Sequence, residues 1–292
     1  MGSLNKTTLS ILVLLLFRSL AVAQDSTDAI RQLEAEKRTI LSRVRTLVSD
    51  SKIRYDTAGR LSGKWRPGQW TWHSHVEVTK IELKSGILKI KANRLLMNYS
   101  RGIHKFTPVR TRETVEVEIQ TSPKADGSLN IESEWNKAFL RSTEPYPEGI
   151  QPYWKPFIDC LINPKTDECQ YYEKKSWEPD VYQVKPDSSW EPQLPDVYKV
   201  GGEVSEPKVR SRVQPVYTPV ARQAGIEGTV LLGAIVKKDG RIEIIRVIRP
   251  LGFGLEESAA EALGKWTFQP ATRLRQPVNV SLFIEINFDL RR

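Results

Sequence analysis

The chain has 292 residues, 39% of them hydrophobic and 27% charged, and carries a formal net charge of +9. That composition excludes a membrane-embedded bundle and a disordered chain, and the length allows two modest domains with linkers. The basic residues are interspersed with acids, as in Glu77, Lys80, Glu82 and Lys84. No Arg-rich arm or nucleic-acid motif accompanies them, so a solvated surface is expected and nucleic acid is not an expected partner.

Residues 1–23 read as a signal peptide. Lys6 supplies the positive start, Leu9 to Phe17 is a short apolar run, and Ala21-Val22-Ala23 is a small-x-small cleavage site before Gln24. The run is far shorter than the roughly 20 apolar residues of a spanning helix. An uncleaved signal anchor is the alternative. No Cys follows the run, so there is no lipoprotein acceptor.

Residues 24–50 are expected to form an amphipathic helix. Ile30, Leu33, Ile40, Leu41, Val44, Leu47 and Val48 recur at three and four between Asp28 and Val48, with Lys37 interrupting the stripe. Such a helix could pack on the next domain or self-associate as a short coil.

Residues 51–143 form a β-rich region. Val76 and Val78 alternate with polar residues, as do Leu88, Ile90 and Ala92, and Val115, Val117 and Ile119. Ala125-Asp126-Gly127-Ser128 is a turn leading into a further strand, Leu129 to Trp135. One apolar face per strand indicates a mostly antiparallel sheet, a small sandwich or partial barrel. His73, His75 and Glu77 would share one strand face, as two-His-one-carboxylate ligands do. Trp72 and Val76 alternate with them, which equally describes a solvated strand face, and no metal site is expected.

Residues 144–200 hold half of the chain's 18 prolines. They also hold an imperfect repeat: Ser176-Trp177-Glu178-Pro179 precedes Asp180-Val181-Tyr182, and Ser189-Trp190-Glu191-Pro192 precedes Asp196-Val197-Tyr198. Proline lacks an amide donor and fixes φ, so an extended linker is expected, stapled to a neighbouring surface by its Trp and Tyr side chains. Cys160 and Cys169 are the only cysteines. Nearby cysteines in an exported chain more often pair than act as nucleophiles, so a disulfide is expected here.

Residues 201–292 carry the clearest pattern. Thr218 and Pro219 are a hydroxyl N-cap and a first-turn proline, and Gly225 is placed to end that helix. Val230, Leu232, Ala234 and Val236 alternate along a strand. Asp239-Gly240 supplies a tight turn, and Ile242 to Ile248 returns. Leu255, Ala259, Leu263 and Trp266 fall on one helical face, with Glu256 and Glu257 in the first turn, where the helix dipole favours acids. Val278, Val280, Leu282, Ile284, Ile286 and Phe288 then alternate without a break. The order is helix-strand-strand-helix-strand: an α+β, two-layer domain on a three-stranded sheet, preceded by the N-terminal helix and the β region.

These residues resemble the TonB C-terminal domain family. The likeness is carried by Gln214-Pro215-x-Tyr217, Ala221-Arg222, Gly225-Ile226-Glu227-Gly228-Thr229-Val230, Asp239-Gly240, Ala259-Ala260, Trp266-x-Phe268-x-Pro270-Ala271 and Pro277-Val278. Thr218 departs from it, standing where the family usually has Pro. The resemblance implies a periplasmic, non-enzymatic module without cofactors that takes part in TonB-dependent transport. Its implied partners are outer-membrane receptors or similar envelope proteins, with self-association also open.

Strand order second-first-third would put the last strand at an edge, where unpaired amides and carbonyls can accept a partner strand. By resemblance the peptide site is Gln214, Pro215 and Tyr217 together with Val278, Val280, Ser281, Leu282, Phe283, Ile284 and Ile286. Two alternatives stay open. One is a motor-coupled transducer held in the inner membrane by an uncleaved anchor, although the apolar run has no His. The other is a structural adaptor of the cell envelope. For the site itself, the bland reading is that Gln214 is a surface linker residue and the edge is capped by the chain's own Pro-rich segment.

Overall fold

The computed structural model describes residues 26–100, 105–162 and 194–290. The expected signal peptide, Cys169 and most of the Trp-Glu-Pro repeat lie outside the described residues. Among the described residues no helix is long and apolar enough to cross a membrane. The chain divides into two compact units. One comprises residues up to 68 with 73–95 and 110–149; the other comprises 69–72, 96–109 and 150 onward.

The first unit opens with α1, helical over 26–37, which is shorter than the expected helix. Ile30 and Leu33 are buried, and the Glu34 carboxylate accepts from the Ile81 amide at 2.8 Å. From Thr39 on, the pattern changes from a helical to a two-residue period: Val44, Thr46 and Val48 are buried while Arg43 and Arg45 are half-exposed. β-branched side chains at every second position suit a pleated ribbon better than a helix. Ser42–Arg43 is therefore β1.

Next come β2 (Lys52–Tyr55), the short α2 (Trp70–His73), β3 (His75–Lys84), β4 (Ile87–Ser100) and β5 (Lys105–Gln120). They make a five-stranded sheet of order β1-β3-β4-β5-β2, antiparallel between β1, β3 and β4, with β2 parallel to β5. The alternating residues Val76, Val78, Leu88, Ile90, Ala92, Val115, Val117 and Ile119 are all buried, as the pattern requires.

Leu129 to Trp135 is not a strand. Ile131–Trp135 is α3, started by Asn130, whose side chain accepts from the Ser133 amide at 3.0 Å. Its buried Ile131, Glu134 and Trp135 stand at helical spacing. His73 ends α2 while His75 and Glu77 lie in β3, so the three do not share one strand face. Burial, then the Arg43 charge, pulls His75 down to about 4.

In the second unit the expected linker is in part ordered structure. Pro152–Trp154 is a 3-10 turn leading into α4 (Lys155–Ile162), and Val197–Lys199 is β6. β7 (Lys208–Ser211), α5 (Pro219–Gln223), β8 (Gly228–Val236), β9 (Ile242–Arg249), α6 (Leu255–Gly264), β10 (Thr267–Gln269), β11 (Ala271–Arg273) and β12 (Gln276–Phe288) follow.

The helix-strand-strand-helix-strand order is present, and Thr218 caps α5 as its chemistry demands, accepting from the Ala221 amide at 3.3 Å. The sheet has five strands rather than three: β11-β12-β8-β9, with β6 added to β12. β7 and β10 form a separate pair. The β8–β9 turn places only Gly240 at positive φ (82°), closed by its amide on the Lys237 carbonyl at 2.8 Å. A Cβ there would lie 2.3 Å from the Phe268 carbonyl oxygen, so both the turn and the close approach require glycine.

One further expectation, for Trp266, is corrected. Trp266 lies beyond the end of α6 and is half-exposed, its indole N–H donating to the Val213 carbonyl at 2.8 Å. Glu256 and Glu257 stand in the first turn of α6 as expected, and there they are buried.

Candidate peptide-binding edge

β12 is a strand because β-branched and large apolar side chains alternate along it over thirteen residues. Val280, Ile284, Ile286 and Phe288 are buried, Leu282 and Val278 half-buried, and Glu285 and Asn287 exposed. On one side β12 pairs antiparallel with β8, from Val280 opposite Val236 to Phe288 opposite Gly228. Thr229 donates to its register partner Asn287 at 2.6 Å, and Arg249 of β9 reaches across β8 to Glu285 at 3.2 Å.

The other side is divided. Gln276–Val278 pairs with β11 through a turn at Leu274 and Arg275, both at positive φ (51° and 69°). Asn279–Ser281 pairs with β6, which runs parallel to it. Over Ile284–Phe288 no strand lies on that side among the described residues. The last strand is thus an edge strand in its second half only. This differs from the expected full-length edge, because Val197–Lys199 and the short β11 hairpin cover the first half.

The Gln-Pro-x-Tyr loop is placed as follows. The Tyr217 ring meets Phe288 edge-on, 5.4 Å between centroids and 85° between planes, and its hydroxyl donates to the Ile226 carbonyl. The Arg222 guanidinium lies 5.1 Å over the same ring. Tyr217 therefore braces the end of β12. Pro215 is half-buried and Gln214 exposed. The flanking residues are tied to the α6 region instead, Val213 by Trp266 and Val216 by the Ser258 hydroxyl. The structure brings Tyr217 to β12, and no described contact brings Gln214 there.

A second group was not visible in the sequence. Glu257 accepts from the Thr71 amide at 3.3 Å, the Thr71 hydroxyl at 3.1 Å and the Trp154 indole N–H at 3.2 Å. Glu256 accepts from the amides of Leu251 and Gly252. Burial, and secondarily the Glu257 charge, holds Glu256 above the usual carboxylate range; burial raises Glu257 likewise. Around Trp154 gather Trp70 at 4.8 Å, Phe157 at 5.9 Å and Phe106 at 6.3 Å between centroids. The signal in the sequence was the aromatic content of 150–158, which a solvated spacer would lack.

Among the described residues no group of three or more His, Cys, Asp or Glu is arranged to hold a metal. Cys160 lies in α4, and Cys169, the other half of the expected bridge, lies outside the described residues. What the arrangement offers chemically is main-chain hydrogen bonding along an edge flanked by side chains that can select a partner.

Compared with known proteins, residues 213–290 match the family described as Gram-negative bacterial TonB protein C-terminal. No curated protein matches the chain. Among solved structures it is similar to the TonB C-terminal domain of Pseudomonas aeruginosa, determined in solution by NMR. The identity is 24%, over 30% of this chain and 92% of that one, with a TM-score of 0.22.

Proposed function

We propose that the TonB C-terminal domain formed by residues 213–290 captures a short extended peptide of an outer-membrane receptor or transporter by strand addition, in TonB-dependent transport. The observation that carries this reading is the edge of β12. The strand is held in register by β8 on one side, and over Ile284–Phe288 no described strand occupies the other. A strand edge offers alternating amides and carbonyls at fixed spacing, so an added peptide gains affinity from main-chain bonds while neighbouring side chains select it. The strand residues of the proposed site are Val278, Val280, Ser281, Leu282, Phe283, Ile284 and Ile286, with Tyr217 bracing the end; Ile284 and Ile286 lie on the open stretch, while Val278 is paired with β11 and Val280 and Ser281 with β6. Gln214 and Pro215 would contribute as rim contacts.

The domain acts as a binding module rather than an enzyme. Its site would work in the periplasm, the chain being exported by the segment ending at Ala23. Mass analysis of the mature N-terminus tests that location: a chain starting at Gln24 supports it, and an intact Met1 end would favour the anchored transducer. Capture itself is tested by titrating the exported protein with peptides from the periplasmic ends of outer-membrane receptors. Saturable binding is expected. A folded protein that binds none of them at millimolar concentration contradicts the reading.

A further inference from the structure

β6 lies parallel to β12, with Val197 opposite Asn279, Tyr198 opposite Val280 and Lys199 opposite Ser281. Its hold is slight. It has three residues, the first two half-buried and the third exposed. Side-chain contacts flank it, with Lys199 also engaged. The Tyr198 ring sits under the Arg273 guanidinium at 5.1 Å, and the Asn279 amide donates to the Asp196 carbonyl at 3.3 Å.

The strand also begins and ends on left-handed backbone. Asp196 has φ 64°, which is uncommon for a residue with a side chain. Gly201 and Gly202 have φ 123° and 60°, and a Cβ on either would meet nothing within 4 Å, so these glycines serve the turn and not a tight packing. A short strand between two such turns, with little buried area, belongs to the parts of a fold that open at low cost. The sequence adds an independent observation. Asp196-Val197-Tyr198 is the second copy of Asp180-Val181-Tyr182, each copy following Ser-Trp-Glu-Pro.

We propose that β6 is a built-in competitor for the peptide site. Asp196–Lys199 fills the Asn279–Ser281 part of the β12 edge, and the partner is an extended peptide of the same make-up: an acidic residue followed by a β-branched and an aromatic one. The partner enters parallel to β12, displaces β6, and continues along the edge toward Phe288. This rests on the strand-addition reading above and adds to it a competitor, a sequence class and a threshold. A tethered strand competes at an effective concentration on the order of millimolar, so even a weak one rejects peptides that cannot use the full edge. The Arg273 guanidinium, now over Tyr198, is the group that would meet the partner's aromatic ring.

The test uses the full exported chain and a labelled synthetic peptide with the sequence of Pro195–Val200. Three proteins are compared: the parent, a released form with Val197→Gly and Tyr198→Gly, and a locked form with Val197→Cys and Asn279→Cys. Those two positions are direct register partners, within disulfide reach for neighbouring strands. The released form is expected to bind the probe about tenfold tighter than the parent. The oxidised locked form is expected to bind it at least about tenfold more weakly than its own reduced form. Equal binding by parent, released and oxidised locked proteins overturns the competitor role and leaves strand addition standing. No binding by a released form that keeps the parent's near-UV circular dichroism overturns strand addition, and the competitor with it.

Discussion

The β11-β12-β8-β9 sheet meets residues of the Pro-rich stretch at β9 and along the side of β12 that faces away from β8, and in opposite ways. At β9 the contact is made by the 3-10 turn Pro152–Trp154 and by α4. Trp154 is fully buried, Phe157 is 2% exposed and Ile158 5% exposed. At β12 the contact is β6, whose residues are half-buried or exposed and whose anchors include backbone pairing and contacts at the rim. Removing large apolar surface from water stabilises a contact whatever its partner, whereas backbone pairing at a rim is nearly matched by water and can be exchanged for another strand. One cover is part of the core; the other is replaceable.

The largest expected effect lies at the permanent cover. Trp154→Ala should destabilise the second unit by about 3–5 kcal/mol, because it leaves a cavity in an aromatic cluster and removes a donor from buried Glu257. Urea unfolding checks this, and a loss under 1 kcal/mol would place Trp154 at a surface. The bridge expected between Cys160, in α4, and Cys169 should contribute about 2–3 kcal/mol by constraining the unfolded chain. Intact mass without reductant, followed by unfolding with and without it, tests both its existence and its worth. Two free thiols in the exported protein contradict the bridge.

A pH dependence follows from Glu256. Its folded carboxyl is held above the ordinary range by burial and then by the Glu257 charge. The folded protein therefore keeps a proton that the unfolded chain has released. Stability should be highest in the ordinary carboxylate range, fall as pH climbs toward neutrality, and flatten beyond it. Glu256→Gln keeps an acceptor for the Leu251 and Gly252 amides and removes the titration. It should reduce that slope, leaving the part that Glu257 contributes, and make the protein about 1–2 kcal/mol more stable than the parent at pH 8. Parallel stability curves from pH 4 to 8 would rule this out. The smallest effect belongs to the replaceable cover: Tyr198→Ala should cost about 0.5 kcal/mol or less in the same unfolding assay, since it loses one exposed cation–π contact. A cost rivalling that of Trp154→Ala would erase the distinction between the two covers.

What the sequence made legible follows from how local the signals are. Thr218-Pro219 starts α5 because a hydroxyl cap and a first-turn proline act within one turn of chain. Gly240 and the alternation of Val280 to Phe288 likewise specify their elements without help from elsewhere. The expected helix runs past the observed end of α1 because Val44, Leu47 and Val48 fit a helical stripe as well as a ribbon, and Arg43 and Arg45 show which period wins only once the strand has a neighbour. β6 was invisible since three residues cannot establish a period, and Pro195 beside them argues for a linker. The first-turn place of Glu256 and Glu257 is legible but their burial is not; Thr71 and Trp154, more than a hundred positions away, supply the donors that let Glu257 be buried. Of the candidate site, the strand was readable and its half-occupied edge was not, because occupancy depends on long-range pairing.

Strand addition is tested most directly by amide hydrogen exchange along β12, followed by NMR on the exported protein with and without a receptor-derived peptide. Amides of Ile284–Phe288 that point away from β8 are predicted to exchange rapidly in the free protein. On binding they should become protected at every second residue, the spacing of a ladder, while amides facing β8 stay protected throughout. Peptide binding that leaves exchange of Ile284–Phe288 unchanged, or that protects only the loop around Gln214, would contradict the account.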